Sequence, residues 1–148
     1  MNIKNVLICL DGTENSFKAF NYALNLFEKF NNINFFVIYV VDVATLLHLL
    51  KVKVIIQREY EQLEKDLEND GKKYLKLAED IALKINKKIN TIIAKGNVVE
   101  EVKKAINENN IDLVVIGKLQ AILSQKDIIY DIGDRICREV PVPVIIVN

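Results

Sequence analysis

Five short runs of apolar, largely β-branched residues punctuate the chain: NVLICL (5–10), NFFVIYVV (34–41), NTIIA (90–94), DLVVIG (112–117) and PVIIV (143–147). Each is nearly continuous rather than alternating, the pattern of strands covered on both faces in a parallel sheet. Helical periods fill the gaps between them. Phe17, Phe20, Leu24, Phe27 and Phe30 recur at three- and four-residue intervals after Thr13, a suitable N-cap. Tyr60, Leu63, Leu67, Tyr74, Leu77, Ile81 and Ile85 predict one long helix over 58–88, with Gly71 as a kink or a close packing point. Asn97 and Glu100 have the spacing of a capping box ahead of the stripe Val98/Val99, Val102 and Ala105/Ile106. Ile129, Ile132, Ile136 and Val140 predict a last helix that VPVP stops.

One stretch breaks the regularity. Residues 43–56, VATLLHLLKVKVII, are apolar but show no single face. A buried helix or strand extension is the expectation there. The alternative is a lid over a pocket or a surface for a protein partner.

Strand–helix alternation without a linker rich in Pro, Gly or Ser predicts one α/β domain over 1–148, an open parallel sheet with helices on both faces. A domain of this length buries roughly 68–70% of its unfolded surface without staples. Lys plus Arg and Asp plus Glu number 20 each. That balance argues against a broad nucleic-acid-binding face, and nucleic acid is not an expected partner. Cys9 and Cys137, each inside an apolar pattern, read as buried free thiols rather than a disulfide. The apolar run near the N-terminus is too short for a signal peptide or a membrane span, so a cytoplasmic protein without a membrane partner is expected.

Ligands of open parallel sheets sit beyond the carboxyl ends of the strands, where strand order reverses. Asp11 and Gly12 end the first strand just before a helix, and Gly117 ends the fourth. If those strands are neighbours, both turns line one crevice with helix N-termini facing it.

The stretches NVLICLDGTENSFKAFNYAL, VIYVVDV, AKGNVVEEVKKAINENNIDLVVIGK and DRICREVPVPVIIVN resemble, in order and spacing, the universal stress protein family. The resemblance covers nearly the whole chain and is weakest at 43–75. It implies a five-stranded parallel sheet in the order 3-2-1-4-5, of the adenine-nucleotide alpha-hydrolase-like kind. Many members bind ATP through G-x2-G-x9-G-[S/T], which falls here on Gly117, Gln120, Tyr130 and Asp131. Pro141 and Pro143 fix the register, so the spacing is intact and only Gly117 matches. Gln and Tyr accept poorly the positive φ that lets backbone N–H groups close on phosphate. Asp131 replaces a hydroxyl donor by a carboxylate, which at a helix N-terminus would occupy the anion site itself. Asp11 stands where members face the adenosine, and Val41 where the backbone meets the base. Lys118, Lys126 and Arg135 are available as charges for phosphate.

His48 is the only histidine and has no Cys, Asp or Glu at ligand spacing, and no Walker loop or G-x-G-x-x-G occurs. Nothing nominates a catalytic base or a metal site. The expected function is therefore a stress-response-type binding and regulatory protein, a homodimer through strand 143–147, with a degenerate site not expected to bind ATP. The alternative is an ATP or AMP switch with weak or no hydrolysis. A third reading keeps an adenosine compound without a triphosphate on Asp11 and Val41.

Overall fold

The apolar runs pair into a sheet in the order β3-β2-β1-β4-β5, with every described pairing parallel. The strands are β1 (Asn5–Cys9), β2 (Asn34–Val41), β3 (Ile89–Lys95), β4 (Leu113–Gly117) and β5 (Val144–Val147). The helices are α1 (Glu14–Leu26), α2 (Val43–Lys51), α3 (Gln57–Leu83), α4 (Val98–Glu108) and α5 (Lys126–Glu139). The structure, a computed structural model, describes residues 2–118 and 126–148, and for 126–131 the backbone alone.

Strand side chains alternate between two cores, as the pleat requires. Val6, Ile8, Val37 and Val115 meet Phe20, Ala23 and Leu24 of α1 and Leu75 and Ala78 of α3. On the opposite face Leu7, Ile38, Val114 and Ile116 meet Val99, Val102 and Ile106 of α4 and Ile136 of α5. Both faces of the central strands are thus covered, which is why their sequences carry so little polar alternation.

Thr13 caps α1, its hydroxyl accepting the Ser16 N–H at 3.2 Å. Asn97 caps α4 by accepting the Glu100 N–H at 3.1 Å, but only this half of the expected capping box forms. The Glu100 carboxylate turns instead toward Lys103 and Arg135, at 3.7 and 3.8 Å. α3 ends at Leu83, short of the expected 88, because Asn86 takes a left-handed φ of 59° and the Lys87 N–H reaches back to the Ala82 carbonyl. That geometry closes a helix C-terminus. Gly71 is a packing point: a Cβ there would overlap the buried ring of Tyr39 on β2.

The segment 43–56 is helical in part, as α2, but it is not buried. Leu46 is its one fully buried residue, whereas Val52, Val54 and Ile56 are each more than half exposed. The helix lies off the sheet against α3, so apolarity here does not mark core. Cys137 is likewise exposed rather than buried, since it faces outward from α5. No helix among the described residues is long and apolar enough to cross a membrane.

Candidate functional site

The carboxyl ends of β1, β2 and β4 converge because β1 lies between the other two. Beyond them opens a cavity of about 260 Å³. Its walls are apolar, from Ile38 and Val40 of β2, Val98 and Val102 of α4, Ile116 of β4 and Ile132 of α5. Its mouth is polar, with Asp11, Thr13, Ser16 and Asp42 among the described residues that line it.

Each carboxylate is positioned by its own turn. Asp11 Oδ1 accepts the Thr13 N–H at 2.9 Å and the Thr13 hydroxyl at 2.6 Å. Asp42 caps α2, accepting the Thr45 N–H at 3.1 Å and the Thr45 hydroxyl at 2.7 Å. Ser16 is buried and donates its hydroxyl proton to the Thr13 carbonyl at 2.8 Å. Among the described residues no lysine or arginine lines the cavity.

Gly117 lines the same cavity, but its small size serves packing. A Cβ at this position would overlap the carbonyl of Asn15 and stand 2.9 Å from the Ser16 nitrogen, in the first turn of α1. Just beyond it the Asn15 side-chain amide donates to the Lys118 carbonyl at 2.9 Å, and the Lys118 N–H donates to the Val147 carbonyl at 2.8 Å. The end of β4 is thereby tied to α1 on one side and to β5 on the other.

The structure brings Asp11 and Gly117 together and leaves Val41 out. The Val41 side chain is buried with the α1/α3 core, and its carbonyl accepts the Gly96 N–H at 3.1 Å. Its neighbours Val40 and Asp42 face the cavity instead. Gln120 and the side chains of Lys126, Tyr130 and Asp131 lie outside the described residues. Among the described residues the α5 backbone begins at Lys126, so Asp131 falls within that helix. Arg135 is committed to carboxylates, bonding both oxygens of Glu139 at 2.6 and 3.4 Å.

The family model of the universal stress proteins matches residues 2–148. The chain belongs to the universal stress protein family. Among solved structures it is similar to universal stress protein UspA from Lactobacillus plantarum, at TM-score 0.80 and 16% identity, covering 100% of this chain and 99% of that one. It is also similar to a universal stress protein in complex with cAMP, at TM-score 0.71 and 16% identity over 98% and 97% of the two chains. A universal stress protein family member from Arabidopsis thaliana with AMP bound matches at TM-score 0.60 and 12% identity, over 98% and 92%. No curated protein matches the chain.

Within this universal stress protein the sequence reading missed Asp42, Ser16 and Tyr39. A polar residue directly after an apolar strand, as in VIYVVDV, was the available signal for Asp42. Burial, with Asp70, Tyr74 and Asp11 adding to it, pushes the Tyr39 hydroxyl up to about 12, so it stays protonated. Burial, helped by Asp11, likewise pushes the Cys9 thiol up to about 12. The thiolate is the reactive form. Alkylation at pH 8 is therefore expected to modify exposed Cys137 rapidly and the part-buried Cys9, which lines the cavity, far more slowly, read as a single early adduct by mass spectrometry. Because the folded-state value is raised, the contribution of Cys9 to stability is present below its ordinary pKa and is lost as pH climbs toward 12. Among the described residues no three His, Cys, Asp or Glu side chains come together as a metal site.

Proposed function

We propose that this universal stress protein is a non-enzymatic, cytoplasmic binding and regulatory protein, acting as a homodimer, whose crevice takes a compact ligand without a triphosphate. The observation that carries this reading is the mouth of the cavity, where Asp11 and Asp42 stand with no cation among the described lining residues. A carboxylate accepts hydrogen bonds and donates none. It suits the hydroxyls of a sugar and repels phosphate oxygens.

Magnitude decides between the two. Like charges about 4 Å apart near a protein surface cost about 4 kcal/mol, roughly a thousandfold in affinity. That penalty favours a ligand without a triphosphate, and the apolar walls between α4 and β2 suit a flat base. Relatives that hold AMP and cAMP favour an adenosine-type ligand over an unrelated one. For the homodimer the supporting feature is β5, an edge strand whose Ile146 is 48% exposed and whose unpaired edge needs covering.

A second reading, an ATP or AMP switch with weak or no hydrolysis, is favoured by the start of α1 at the same strand ends, a place where helices meet anions. Thermal unfolding with each ligand separates the two. Adenosine is expected to raise the melting temperature, AMP to raise it less, and ATP to leave it unchanged. A rise with ATP equal to that with adenosine would establish the switch instead.

A further inference from the structure

Most of α2 and the first half of α3 lie outside the core, which their partly buried Val43 and Leu67 touch. α3 spans 27 residues, about 40 Å of helix, yet its buried residues Gly71, Leu75, Ala78 and Ala82 all lie in its second half. From Leu47 to Asp70 no residue is fully buried. Along this stretch Leu47, Val52, Val54, Ile56 and Leu63 remain exposed, Val54 to 65%. A projecting helical pair gains little from its own propensity and needs a packed face to hold it.

Its charges are segregated. Residues 43–58, the tip, carry Lys51, Lys53 and Arg58 and no carboxylate. Residues 59–70, the shaft, carry six carboxylates against the single cation Lys65, and although Glu64 and Glu68 pair with Lys95 and Lys72, Glu59, Glu61, Asp66 and Asp70 have no cation within ion-pair distance among the described residues. All three basic side chains of the tip are exposed, and among the described residues none of them forms an ion pair. Lys53 even takes a left-handed φ of 62° to close α2, which keeps the tip compact.

We infer that the α2–α3 hairpin is a self-association surface, in which two copies of the chain pair their hairpins antiparallel about a two-fold axis. Such an arrangement lays each basic tip on the acidic shaft of the other copy and buries the exposed apolar residues between them. A two-fold interface must be self-complementary, and both halves of the complementary pair lie on this one hairpin. An anionic lipid surface would attract the tip but meet six carboxylates on the shaft. The surface is separate from β5, and its exposed residues do not line the crevice, which the hairpin touches only through Leu67 and the α2 cap Asp42.

Light scattering and sedimentation of four variants test it. Lys51→Glu/Lys53→Glu/Arg58→Glu reverses the tip, and Glu61→Lys/Asp66→Lys/Asp70→Lys reverses the shaft, where three carboxylates then face four lysines. Each alone is expected to reduce the particle mass to half or less, because tip and shaft then repel in both contacts. An equimolar mixture is expected to regain the wild-type mass, since a reversed tip meets a reversed shaft while the native pair is kept. Val54→Ser/Ile56→Ser, which changes no charge, is expected to weaken association without changing its salt dependence, whereas Ile146→Lys on β5 is expected to leave the hairpin contact intact. Unchanged mass in both charge-reversed variants, or a mixture that fails to recover while each variant keeps its helical circular dichroism, would overturn the inference. Pelleting of the wild-type protein with phosphatidylserine vesicles, lost in the tip variant while particle mass is unaffected, would overturn it in favour of a membrane contact.

Discussion

Gly117→Ala is expected to destabilise the protein by about 3 kcal/mol, the upper part of the range for overpacking a filled site. The added Cβ meets the Asn15 carbonyl and the Ser16 nitrogen, and both are backbone atoms of a capped helix turn. A flexible side chain could swing aside, but α1 can yield only by lifting its first turn off β4. That movement carries away the Asn15–Lys118 hydrogen bond and shifts Thr13 and Ser16, which line the cavity. A fall in melting temperature of roughly 10 °C follows from the usual entropy of unfolding. Ligand-induced stabilisation should disappear with it. A glycine kept only to let phosphate approach would tolerate alanine in the ligand-free protein without any change in melting temperature, and that result would contradict the packing account.

Phe20→Ala is expected to cost more, about 3–5 kcal/mol, as a deletion of a large aromatic from a filled core. Phe20 is 0% exposed in the cluster that joins α1 and α3 to the sheet. A domain of this size has only about 5–15 kcal/mol in total, so the variant loses a large share of its stability. In urea the unfolding midpoint should fall with an unchanged slope, since the native fold and its buried surface otherwise persist. Phe30→Ala provides the contrast, because Phe30 is 56% exposed and loses mainly its edge-on contact with the Phe27 ring, so its removal should cost about 1 kcal/mol. Equal effects of the two changes would mean that the α1 packing described above is wrong.

These two phenylalanines also show what periodicity reveals and where it stops. Both lie on one helical stripe in the sequence, yet α1 ends at Leu26 and only Phe20 reaches the sheet. The strands were legible because double coverage leaves continuous apolar runs, and the strand order came with the family resemblance. The hairpin was not legible: the apolar residues of 43–56 have the composition of core, and composition does not distinguish a covered surface from an exposed one. Gly117 was visible as the end of β4, but its reason lies across the sheet in α1, about a hundred residues earlier in the chain. Asp42 escaped notice because an acid after a strand is equally the cap of the next helix, and here it is both cap and cavity residue.

Under the proposed function the two carboxylates of the crevice admit a nucleoside and refuse a triphosphate. Calorimetric titration of the ligand-stripped protein with adenosine and with ATP tests this directly, in the wild type and in Asp11→Asn/Asp42→Asn. The wild type is predicted to bind adenosine at least about a hundredfold more tightly than ATP, a difference of about 3 kcal/mol. In the neutralised variant that gap should close, because sugar hydroxyls lose their charged acceptors and phosphate loses its repulsion. Wild-type protein that binds ATP more tightly than adenosine, with the variant no different, would contradict the account.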